Sequence, residues 1–152
     1  MELFPVKYTT CDRFHWNDCD VCLNPEVMSL VAEKGGCGYN VTIKWADCGN
    51  GLWAYGIDYN TGTGGGGFAV SFADKPFKEG QKPDWSTGYP TEKDCKIAAC
   101  KRAIKLVKNS GYWNTEEGDS RRTNTDRLLK MIDDYMESIN PKYVQLELFE
   151  DI

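Results

Sequence analysis

The sequence predicts an α+β fold: a three-stranded antiparallel sheet packed by helices, with an irregular Cys-rich N-terminal segment and a flexible C-terminal tail. Three observations predict it. Tyr39, Val41, Ile43 and Trp45 alternate with Asn40, Thr42 and Lys44, and Trp53, Tyr55, Ile57 and Tyr59 repeat that alternation after a turn-like stretch from Asp47 to Gly51. A period of two belongs to half-buried strands. Beyond Thr91 the apolar spacing turns helical, at Ala99, Ala103, Ile104 and Val107, and again at Leu128, Ile132, Tyr135 and Ile139.

The elements follow in order. Residues 1–23 read as irregular. Asn24 suits an N-cap and Pro25 a first helical position, so Val27, Met28, Leu30 and Val31 are expected as the stripe of a helix ended by Gly35-Gly36. Two strands follow, joined by the Asp47–Gly51 turn. A glycine-rich connection from Thr61 to Gly67 leads to a third strand at Phe68, Val70 and Phe72. Residues 74–90, punctuated by Pro76, Gly80, Pro83, Gly88 and Pro90, read as a long loop. Thr91 is the expected N-cap of a helix over 92–109. Residues 112–124 read as a polar, mobile connection, and a last helix is expected from Asp126 to Ser138. The organisation is a single domain over 1–139, divided into a Cys-rich segment and helix (1–37), a β-β-β-α core (38–110) and a C-terminal helix (125–139), followed by a tail at 140–152. Three antiparallel strands must cover one apolar face, and the 92–109 helix is the natural lid.

The chain has 152 residues, 41% of them hydrophobic and 27% charged, which suits one globular domain with a real core. No apolar run reaches the length of a membrane helix. Met1–Pro5 shows no basic region leading into an apolar stretch, so a cytoplasmic location is expected. In that compartment seven cysteines call for a role other than disulfides. The net charge of −5 disfavours strong nonspecific attraction to nucleic-acid phosphates, although a local basic patch can still bind them.

Two constellations are candidates for chemistry or binding. Cys19 and Cys22 have the two-residue spacing that lets two thiolates hold one zinc ion, and Cys11 and His15 would complete four ligands, with Cys37 an alternative. The competing reading is a set of reduced thiols acting as small hydrophobes, as expected of Cys95 and Cys100 in the helix. The 92–109 helix carries Lys93, Lys96, Lys101, Arg102, Lys105 and Lys108 against Glu92 and Asp94 as its only acids. Lys101, Arg102, Lys105 and Lys108 are therefore candidate nucleic-acid contacts, with a solvated helix face as the plainer alternative. Trp45, Trp53, Tyr55 and Tyr59 would stack on bases if exposed and form the core if not. The run from Gly62 to Gly67 lacks the Lys-Ser/Thr pair and following helix of a phosphate-binding loop. His15 is the single histidine and no catalytic constellation is evident, so the chain is expected not to be an enzyme; Asp58, Asp74 and Asp84 are the residues left for a metal-dependent site.

The most specific signal is Gln145-Leu146-Glu147-Leu148-Phe149. This peptide resembles the clamp-binding motif of bacterial replication and repair proteins, Gln-Leu-Ser/Asp-Leu-Phe. The resemblance implies a partner, the DNA sliding clamp, with Leu148 and Phe149 in its main hydrophobic pocket, Leu146 as a further anchor and Gln145 at the rim. Glu147 stands where the motif usually has Ser or Asp. Asn140-Pro141 is expected to stop the preceding helix and leave the peptide displayed. The alternative is a last strand, with Val144, Leu146 and Leu148 alternating. The stretch from Gly64 through Tyr89-Pro90-Thr91 into the helix also resembles a small domain of uncharacterised phage and mobile-element proteins, which carries no known activity.

The function expected from these readings is that of a non-catalytic adaptor or modulator of bacterial, phage or mobile-element origin, bound to the sliding clamp and to a second protein partner. The alternatives are a nucleic-acid-binding module using the basic helix, with or without zinc, and a protein inhibitor in phage defence or counter-defence.

Overall fold

The computed structural model describes residues 13–32, 38–62 and 64–140. Strands β1 (Glu26–Val31), β2 (Tyr39–Asp47), β3 (Trp53–Thr61) and β4 (Gly65–Phe68) form one antiparallel sheet in sequence order. A two-stranded parallel ribbon, β5 (Lys75–Pro76) with β6 (Thr87–Gly88), follows. Helices α1 (Glu92–Gly111) and α2 (Ser120–Ile139) complete the fold. The α+β class is as expected, with four strands in the main sheet rather than three.

The registers put one set of side chains on the helix face. Ile43 pairs with Ile57, Trp45 with Tyr55 and Val41 with Tyr59. Val41, Ile43, Trp45 and Ile57 are buried beneath Cys95, Ala99, Ala103 and Val107 of α1 and Leu128, Ile132 and Met136 of α2. Small residues on α1 let that helix approach the sheet closely, while the larger ones on α2 fill the remaining width. The opposite face is polar in its middle, where Ser29 bonds Thr42 (2.9 Å) and Lys44 pairs with Asp58 (2.8 Å). At the β2–β3 turn that face is covered instead. Ala46, Cys48 and Ala54 join Phe14, Trp16, Cys22, Val70 and Ala73 in a second apolar cluster.

The expected helix beginning at Asn24 is strand β1. Met28 and Leu30 alternate inward while Val27, Ser29 and Val31 face outward, and Met28 pairs with Ile43. The apolar residues fit either period, but β2 offers an unpaired edge whose hydrogen bonds only a strand can satisfy. Asn24 has another task. Its Oδ1 accepts from the His15 amide (2.7 Å) and its Nδ2 donates to the Arg13 carbonyl (2.8 Å), tying the N-terminal segment down. Gly35 and Gly36 lie outside the described residues.

The additional differences have local causes. The third predicted strand is β4 and lies earlier, in the glycine run itself. A methyl group at Gly65 or Gly67 would press on backbone oxygens of β3, so glycine is what allows this close pairing. Val70 and Phe72 leave the sheet for the second cluster, where the Phe72 amide donates to the Asp20 carbonyl (2.8 Å). Helix α2 starts at Ser120 rather than Asp126, because Asp119 caps it by accepting from the Arg121 amide (2.9 Å). Its polar first turn is anchored by buried Thr125, which packs against Gly111 of α1. The Asp47–Gly51 turn, the Thr91 cap (Oγ1 accepting from the Asp94 amide, 3.0 Å) and the end of the last helix before Pro141 occur where expected. Among the described residues no helix is long and apolar enough to cross a membrane.

Candidate functional site

A hollow lies between α1 and the 74–90 segment, with a volume of about 630 Å³. Its floor and far wall are Tyr55, Phe77, Tyr89, Pro83 and Pro90, and its near wall is α1, through Ile97, Ala98, Lys101, Arg102 and Lys105. A smaller hollow of about 200 Å³ adjoins it and shares Tyr55, Pro83, Tyr89 and Arg102; Phe68, Trp85, Asp84, Ser71 and Thr87 add to its lining.

Local chemistry explains why a long Pro- and Gly-rich segment can hold a wall in place. Asp84 Oδ1 accepts from the Ser86 amide (2.8 Å) and the Ser86 hydroxyl (2.7 Å), closing an Asx-type turn that carries Trp85 at its tip. These bonds, the Ser86 hydroxyl first, hold the Asp84 carboxyl below its ordinary range. Phe77 donates its amide to the Gly88 carbonyl (2.8 Å) within the β5–β6 ribbon. Tyr89 exchanges two backbone bonds with Trp53 of β3 (2.7 and 2.9 Å), which locks the segment onto the main sheet. Gly88 sits so close to Leu52 and Ala73 that a side chain there would collide with both.

The rings form a layered series. Tyr55 lies 6.0 Å from Tyr89, and Phe77 stacks on Tyr89 at 5.3 Å with an interplanar angle of 26°. Phe68 adds a tilted contact to Tyr55 at 6.1 Å. Burial raises the Tyr89 hydroxyl well above the ordinary phenol range and raises Tyr55 as well, so both remain neutral at physiological pH. Phe77 and Trp85 stay 40% and 78% exposed, which leaves aromatic faces open to solvent beside the hollow.

Its charge is predominantly positive. Lys82, Lys101, Arg102 and Lys105 line the main hollow against a single acid, Asp94. Among the described residues none of these four cations takes part in a salt bridge, whereas Lys44, Lys75 and Lys130 each pair with an aspartate. Lys96 also points elsewhere, its ammonium lying 4.7 Å from the Trp45 ring centroid. The expected contacts Lys101, Arg102 and Lys105 are thus brought together, and Lys82 joins them from the loop. Lys108 sits in the last turn of α1, outside the lining. Of the four strand aromatics, Trp45 is buried, and Tyr55 alone lines the hollow. Sequence reasoning missed Phe77, Trp85 and Tyr89. The available signal was three large aromatics in an otherwise polar loop.

The proposed zinc ligands are placed differently. Residues 16–22 form a small hairpin, with Cys19 exposed in its turn and Cys22 buried in the second apolar cluster. Asn17 Oδ1 organises the turn by accepting from the Cys19 and Val21 amides. His15 is exposed, and Cys11 and Cys37 lie outside the described residues. Among the described residues no three His, Cys, Asp or Glu side chains gather as a metal site, so Asp58, Asp74 and Asp84 do not form one. Cys95 and Cys100 are core residues of α1, as expected; burial raises both thiols, Cys100 to about 12. Gln145, Leu146, Leu148 and Phe149 also lie outside the described residues. Comparison of the chain with protein-family models, curated proteins and solved structures finds no match.

Proposed function

We propose that this chain is a non-catalytic adaptor of bacterial, phage or mobile-element origin, which binds the DNA sliding clamp through Gln145, Leu146, Leu148 and Phe149 and presents its folded body to a second partner. The observation that carries the reading is the peptide. Three large apolar side chains around a fixed polar residue are what a preformed groove needs to capture a short segment with register. Helix α2 ends at Ile139, where the Asn140 amide donates to the Met136 carbonyl, five residues ahead of Gln145. The peptide therefore lies beyond the end of α2 in the sequence and does not interrupt that helix.

The test is binding of the full chain to purified bacterial sliding clamp. Changing Leu148 and Phe149 together to Ala removes both pocket anchors, each worth about 2 kcal/mol at an interface centre, so affinity should fall about 1,000-fold. Equal binding by wild type and variant, or none by wild type, ends the proposal.

A specific observation favours a second reading of the body, a nucleic-acid-binding module. Lys101, Arg102 and Lys105 face Tyr55, Phe77 and Tyr89 across one hollow. The two readings are compatible, because a protein held on the clamp is held beside DNA.

A further inference from the structure

We propose that the hollow between α1 and the 74–90 segment binds a single-stranded nucleic acid, whose bases stack on Phe77 and Trp85 while its phosphates meet Lys82, Lys101, Arg102 and Lys105. The proposal rests on the second reading above and narrows it from nucleic acid in general to an unpaired strand.

Charge argues for a polyanion. The whole chain carries −5, yet this wall gathers four cations around one acid. Like charges held together repel one another, and an anionic ligand relieves that repulsion.

The rings argue for unpaired bases. Phe77 stacks on Tyr89, which in turn lies tilted against Tyr55, and Phe77 stays 40% exposed, so a base placed on it would extend the Tyr89–Phe77 stack. Trp85 offers a second face beside the adjoining hollow and is held by the Asp84 turn. Stacking needs the face of a base, which a duplex keeps inside its own stack, whereas a single strand exposes it. The two hollows meet at Tyr89 and Arg102, so a strand can pass from one platform to the other with a guanidinium between them.

The experiment is fluorescence anisotropy on the full chain with labelled oligo(dT), oligo(rU) and a duplex, each of about 15 units, a length that spans a typical site. Wild type should bind at least one of the single strands more tightly than the duplex, with affinity falling steeply between about 50 and 200 mM salt. The oligo(dT) and oligo(rU) arms show whether deoxyribose or ribose is preferred. Trp85→Ala should weaken single-strand binding about tenfold without changing the salt slope, since it removes stacking alone. Lys101→Glu with Lys105→Glu should weaken it more and flatten that slope. Phe77→Ala repeats the stacking test at the second platform, with circular dichroism confirming its fold; Trp85, being largely exposed, keeps the test sound if Phe77→Ala does not fold. Duplex binding as tight as single-strand binding, or binding indifferent to Trp85→Ala, overturns the single-strand proposal and leaves the nucleic-acid module standing. Absence of binding to all three probes overturns both.

Discussion

Phe77 and Tyr89, twelve positions apart in the sequence, stack at 5.3 Å with ring planes 26° apart. One of the pair is buried and the other is 40% exposed. Tyr89 belongs to the main core through Tyr55 and its backbone bonds to Trp53, whereas Phe77 rests on it from the solvent side.

That asymmetry predicts unequal costs. Tyr89→Ala should destabilise the fold by about 3 kcal/mol, the range for losing a buried aromatic. Phe77→Ala should cost about 1 kcal/mol, the worth of one aromatic pair with little burial. Urea denaturation of the two variants measures both values. Equal losses would mean that Phe77 supports the fold as much as Tyr89 does.

Gly111→Ala should destabilise the protein although alanine favours helix by about 1 kcal/mol. The added methyl would fall within the Thr125 side chain of α2. Thr125 is buried and β-branched, and its hydroxyl donates to the Arg121 carbonyl at 2.8 Å, so it cannot swing aside. Overpacking of this kind costs about 1–3 kcal/mol, which outweighs the gain in propensity. A lower Tm by differential scanning calorimetry is expected; a higher one would show that the α1–α2 crossing yields.

Asp119 should titrate near 2 in the folded chain, because the Arg121 side chain first, and its amide second, bond the ionised carboxylate. The folded value lies below the ordinary 3.8, so the stabilising effect is complete above about pH 4 and is lost as pH falls toward 2. Loss of the charged cap should loosen the start of α2 in that window. Carbon-detected NMR titration of the Asp119 carboxyl reads the midpoint directly, and a midpoint at the ordinary value would contradict the bonded cap.

The cysteines should divide sharply in reactivity. Cys19 is exposed in a turn, whereas Cys95 and Cys100 are fully buried with thiols raised by burial. Thiolate is the reacting form, so iodoacetamide near pH 8 should label Cys19 well before Cys95 and Cys100, which stay unlabelled until the chain is denatured. Peptide mass spectrometry locates the label. Modification of Cys95 in the native protein would contradict the packing of α1.

Legibility in the sequence tracked the range of the forces involved. Strands β2 and β3 were readable because Tyr39 to Trp45 and Trp53 to Tyr59 each carry a full period of two. The Thr91 cap was readable because it is settled within four residues. Strand β1 was not, since Val27, Met28, Leu30 and Val31 satisfy both periods and only the edge of β2 selects between them. The start of α2 was missed because its first turn is polar and held by a contact from Thr125 to Gly111 on another helix. Of the candidate site, Lys101, Arg102 and Lys105 were visible as neighbours on one helix. Phe77, Trp85 and Tyr89 were not, because they become a wall only when the ribbon of β5 and β6 and the Trp53 bonds fold the loop back.

By itself, then, the sequence determined what depends on neighbouring residues: the α+β class, the central hairpin, the capped basic helix and the Gln145–Phe149 peptide. Only the tertiary structure decided which side chains meet. It turned Cys22 inward while Cys19 faces out, and among the described residues it paired Lys44, Lys75 and Lys130 with acids while bringing Lys82, Lys101, Arg102 and Lys105, which form no such pair there, together beside stacked rings. Those outcomes depend on contacts between distant segments, and no local pattern contains the distance between them.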